Sequence, residues 1–83
     1  MEVAEELRTA EAAMARGDYE TAIRLARHSL QTKITPHAYG VITRGYCGLH
    51  DLGNAKAALQ NVRGVVRATV MARCRRMGFP LDD

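Results

Sequence analysis

One phrase occurs twice in this chain. Gly17-Asp18-Tyr19-Glu20-Thr21-Ala22-Ile23 separates two apolar-periodic stretches, and His50-Asp51-Leu52-Gly53-Asn54-Ala55-Lys56 separates two more. The shared alanines, Ala22 and Ala55, stand 33 residues apart. A period of this length suits a helix-turn-helix unit, which cannot bury its own apolar face and must stack on a neighbour. The expectation is an all-α scaffold that binds rather than catalyses. The repeat does not name the partner.

The stretches around each turn read as helices. Val3, Leu7, Ala10 and Met14 recur at one helical face, and Gly17 stops that helix. Asp18 is placed to cap the next, which carries Ala22, Ile23, Ala26 and Leu30. The connection is short enough to force the two antiparallel. Thr35-Pro36 opens a third helix, with Thr as cap and Pro at the first helical position, and Tyr39, Ile42 and Tyr46 form its inner face. Its Gly40, Gly45 and Gly48 either admit a close neighbour or keep a groove open, since glycine costs up to about 1 kcal/mol in a helix interior. A fourth helix is expected over about 54–63, with Ala55, Ala58, Leu59 and Val62 inside and Gly64 ending it. The last, over about 65–77, has Val66, Val70, Cys74 and Met77 on one stripe and stops at Gly78 and Pro80. Phe79 and Leu81 can fold back onto it.

The 83 residues allow one small domain without a deep enclosed active site. Aromatics are only 5%, with no Trp, so the core must come from Ala, Leu, Val, Ile and Met. The net charge of +3 is uneven. Residues 1–20 hold six acids against Arg8 and Arg16, whereas 21–81 hold ten bases against Asp51 alone. Solvated faces of opposite sign account for this, and so would end-to-end association of copies. Cys47 and Cys74 read as buried thiols of a reducing compartment, without a disulfide framework. No signal peptide or membrane-length apolar run is visible, so the chain is expected to be cytoplasmic.

Both turns resemble the tetratricopeptide repeat. Gly17, Asp18, Tyr19 and Ala22 match the family in the first copy, and Tyr39, Ile42, Tyr46, Ala55 and Leu59 match it in the second. Glu6 and Thr9 depart from the aromatic and Leu that the family prefers, which makes the first repeat degenerate or a cap. The resemblance implies a right-handed array of two antiparallel helical hairpins, repeat 1 over about 3–34 and repeat 2 over about 35–63, closed by a capping helix over about 65–77. The whole of 1–83 then forms a single domain, alone or within a larger protein. A second resemblance lies in Arg67, Val70, Cys74, Gly78 and Leu81, a closing pattern similar to the helical tails behind the kinase domain of some bacterial serine/threonine kinases. It implies a regulatory or docking module of a signalling protein.

In tetratricopeptide arrays the first helix of each repeat lines a concave, peptide-binding groove. Carried over by position, Leu7, Glu11 and Met14 face that groove in the first repeat, and His37, Gly40, Arg44 and Cys47 in the second. Val70, Arg73 and Met77 face it from the last helix. Arg44 and Arg73 suit a carboxylate or phosphate, because guanidinium donates two parallel hydrogen bonds in a fixed fork. The bland alternative is a solvated charge whose stem covers apolar surface. The family's carboxylate clamp needs Lys and Asn where this chain has Leu7 and Glu11, so that ligand is not expected.

The expected partner is thus a protein or peptide segment, acidic segments included, with no cofactor, small-molecule substrate or membrane. Cys47, His50 and Cys74 make a poor zinc set, lacking a close pair and a fourth ligand. No phosphate loop, paired-carboxylate motif or activated nucleophile is present. Two rivals remain. Arg63, Arg67, Arg73, Arg75 and Arg76 could neutralise nucleic-acid phosphates, although they ring the last helix without forming a stripe. Self-association would set the acidic first helix against the basic last one.

Overall fold

The computed structural model describes residues 2–81. It is all-helical over that span: α1 (Val3–Ala15), α2 (Tyr19–Ser29), α3 (Pro36–Gly48), α4 (Leu52–Leu59) and α5 (Gly64–Arg76). α1 packs on α2, α2 on α3 and α3 on α4, while α5 lies chiefly along α3.

The two turns of the repeat are built alike. After α1 the amide of Gly17 donates to Met14 O and that of Asp18 to Ala13 O. After α3 the amide of His50 donates to Cys47 O and that of Asp51 to Tyr46 O, each partner 33 positions on. This double closure with a left-handed residue is a Schellman motif. Gly17 supplies the left-handed residue at φ +80° and His50 supplies it at φ +57°. Asp18 then caps α2 by accepting from the Thr21 amide, and Asp51 caps α4 by accepting from Asn54. Gly78, at φ +81°, closes α5 with a third such motif, through Phe79 N to Cys74 O.

α4 departs from expectation at both ends. The Asp51 cap starts it at Leu52, so Gly53 falls within its first turn. It stops at Leu59, well before Gly64, which instead opens α5 at φ +62°. The helix closes in tight backbone turns, Asn61 N to Ala58 O and Val62 N to Leu59 O, and the Arg67 guanidinium reaches back to donate to Leu59 O at 3.0 Å and Val62 O at 3.5 Å. Leu59 O also accepts from the Val62 amide, so Arg67 adds a second donor to the turn that closes the helix.

The interior has two parts. Leu7, Ala10, Ala13, Ala22, Ile23, Ala26, Val41 and Ile42 pack among α1, α2 and α3. Cys47, Ala55, Leu59, Val62, Val70, Cys74 and Leu81 pack among α3, α4 and α5, and Tyr39 and Tyr46 touch both groups. Leu81 does fold back, at 2% exposure. Val66, expected on the inner stripe of α5, is exposed.

The glycines of α3 serve close approach. A Cβ on Gly45 would collide with the Ile23 side chain, and one on Gly48 would lie 2.6 Å from the Tyr19 ring. Of the two alternatives, Gly45 and Gly48 therefore admit close neighbours, Ile23 and Tyr19. The cysteines are the larger correction: Cys47 and Cys74 are joined as a disulfide that ties α3 to α5, with Cα atoms 5.7 Å apart. Their 27-residue separation hid the pairing, because only the lay of α5 along α3 brings them together. Among the described residues no helix is long and apolar enough to cross a membrane.

Candidate functional site

α1, α3 and α5 leave a groove whose centre is Arg44. Arg44 is carried on α3 and is 7% exposed, an uncommon position for a cation without a partner. The partner is Glu11 of α1, whose Oε2 accepts from Arg44 Nη2 at 2.6 Å. The same oxygen lies 2.8 Å from His37 Nε2 at the start of α3. Burial pushes the Glu11 carboxyl up, but the hydrogen bonds and charges of Arg44 and His37 outweigh it and hold the group below its ordinary range. The result is a fixed carboxylate that orients one edge of the arginine fork.

Two depressions meet at this arginine. One, of about 230 Å³, is lined by Glu11, His37, Gly40 and Arg44 on one side and by Val65, Val66, Thr69, Val70 and Arg73 of α5 on the other. Val65 is 83% exposed at its rim. Gly40 belongs here because a Cβ on it would press on Val70 at 3.2 Å. The second depression, of about 400 Å³, is lined by Met14, Tyr19, Arg44, Arg73, Arg76 and Met77. Arg44 and Arg73 border both.

Of the residues expected on the groove, Glu11, Met14, His37, Gly40, Arg44, Val70, Arg73 and Met77 line these depressions. Leu7 does not: it is 3% exposed and belongs to the core beneath α1. Cys47 is withdrawn into the disulfide. Tyr19, Val65, Val66, Thr69 and Arg76 were not anticipated. Arg73 and Arg76 are three residues apart on one helix, a spacing that places them on one face. His28 of α2 sits 2.6 Å from Glu6 of α1, which is buried.

A larger depression, of about 490 Å³, lies between α2 and the end of α3. Its Arg27 is already engaged, with the guanidinium donating to the Tyr46 hydroxyl and lying 5.6 Å from that ring's centre. Cys47 and Cys74, two of the three residues weighed as zinc ligands, are bonded to each other. No cluster of three or more metal-binding side chains occurs among the described residues. No family model, no curated protein and no solved structure matches the chain, so both family resemblances rest on the residues quoted for them.

Proposed function

We propose that the chain is a short tetratricopeptide-like array, with α1–α2 and α3–α4 as antiparallel hairpins and α5 as the terminal helix. Its work is noncatalytic recognition of an extended, acidic protein segment in the groove of α1, α3 and α5. The observation that carries this reading is Arg44, a buried guanidinium held by Glu11 at the junction of two open depressions. Arg44 gives one nitrogen, Nη2, to Glu11, and the residue lines both depressions. Val65 and Val66 add apolar contact at one end, and Met14 and Met77 at the other. Affinity then comes from apolar burial and register from charge-assisted hydrogen bonds.

Nucleic-acid binding through α5 has less support, because its arginines are divided. Arg67 is spent on the carbonyls that end α4, and Arg73 and Arg76 share a depression with two methionines. Arginines in the last turn also favour the helix without any ligand. A cytoplasmic setting would hold Cys47 and Cys74 as thiols, and an oxidising one would keep their bond. Maleimide mass tagging of the protein taken from its cells distinguishes these.

The test of the groove is a titration of isotope-labelled protein with acidic, neutral and basic degenerate nonapeptide pools, followed by amide resonances. The acidic pool should shift Gly40, Thr69 and Val70, and Arg44→Gln should abolish the effect. Shifts confined to α2 and α4, or none with any pool, would refute the reading.

A further inference from the structure

The groove's second depression is chemically unlike the first. Arg44, Arg73 and Arg76 line it, and the remaining wall is Met14, Tyr19 and Met77. Glu11 meets this trio only through one nitrogen of Arg44. Neither Arg73 nor Arg76 has a carboxylate partner among the described residues. Three arginines on two helices therefore border one small volume, with the buried one held in place by Glu11.

The geometry points to a binding site for a phosphorylated side chain of the protein segment in the groove. A carboxylate has two oxygens and is satisfied by one arginine fork. A phosphate monoester carries close to two negative charges at neutral pH and three acceptor oxygens, so it can use several forks at once. The site brings three arginines together, with one nitrogen of Arg44 already given to Glu11. The methionines supply flexible apolar contact that accommodates varied residues beside the phosphate. The segment's chain would run on past Arg44 and Arg73 toward Val65 and Val66, since both arginines border the two depressions. This assignment rests on the groove reading above and specifies its ligand.

Three nonapeptide pools test it, identical except for phosphothreonine, glutamate or threonine at the centre, with binding read by fluorescence anisotropy and by amide shifts. The phosphothreonine pool should bind at least about tenfold more tightly than the threonine pool, the scale of one added charge-assisted contact. Arg73→Gln and Arg76→Gln should each remove most of that preference, with thermal melts confirming that these exposed substitutions leave the fold intact. Equal binding of all three pools, with groove resonances still moving, would overturn the phosphate site while leaving the groove. Absence of binding by any pool would overturn both. Inorganic phosphate shifting Arg76 and Met77 resonances while no pool binds would overturn the protein-borne source.

Discussion

At the scale of single residues, the contact that organises the site joins Glu11 to Arg44. Removing the carboxylate leaves a buried guanidinium short of its partner, so Glu11→Gln should cost about 1–2 kcal/mol in a urea melt. The pH dependence has a definite sign. The Glu11 carboxyl is held below its ordinary value in the folded chain, so its contribution is fully present above that ordinary value and is lost as pH falls through the lower, folded one. Wild type should lose stability more steeply than Glu11→Gln across that acid window, and parallel curves would contradict the pairing. Asp18 and Asp51 are also lowered, chiefly through bonds from Thr21 and Asn54, and add acid sensitivity of the same sign. Glu11 and Arg44 occupy equivalent positions, 33 residues apart, so the period alone marks them as neighbours on one face. Nothing so regular marks Glu6 and His28, 22 apart, whose pairing depends on where α1 and α2 cross.

At the scale of elements, the turns were legible and the helix contacts less so. Gly17-Asp18 and His50-Asp51 each specify a left-handed stop followed by a cap, and the chain needs only local geometry to obey. His50 bears a strain of roughly 1–2 kcal/mol that Gly17 avoids. Its ring also stacks 5.1 Å from Phe79, which anchors the segment after α5. The end of α4 could not be read, because it closes in tight turns over Ala58–Val62 that no glycine or proline marks. Packing predictions follow from the fully buried alanines and the crowded glycines. Ala22→Leu and Ala55→Leu should each destabilise by roughly 1–3 kcal/mol, and melts matching wild type would refute the repeat register. Gly48→Ala should also destabilise despite better helix propensity, since its Cβ meets the Tyr19 ring; a stabilised variant would show that Tyr19 does not sit there.

At the scale of the whole molecule, α5 is the element whose attachment matters most. It rests on α3, is fastened by Arg67 at one end and crossed by the Cys47–Cys74 bond, and supplies one wall of the groove. A loop of this length implies about 3.5 kcal/mol from the disulfide. Adding reductant should lower the urea midpoint accordingly, and coincident melts would contradict a bond in the folded chain. The charge asymmetry between the ends is milder in the fold than in the sequence. Of the six acids in residues 1–20, Glu6, Glu11 and Asp18 are engaged within the chain. Glu2, Glu5 and Glu20 are then left without an ion pair among the described residues. That weakens the case for end-to-end association and leaves the groove as the surface with the most specific chemistry.

The most direct measurement is photo-crosslinking from inside the groove. A photoreactive side chain at exposed Thr69, with a control at exposed Lys56 on α4, is irradiated with the acidic nonapeptide pool. The predicted result is an adduct at position 69, none at 56, and loss of the adduct on Arg44→Gln. Equal labelling at both positions, or labelling that survives Arg44→Gln, would contradict a groove centred on that arginine.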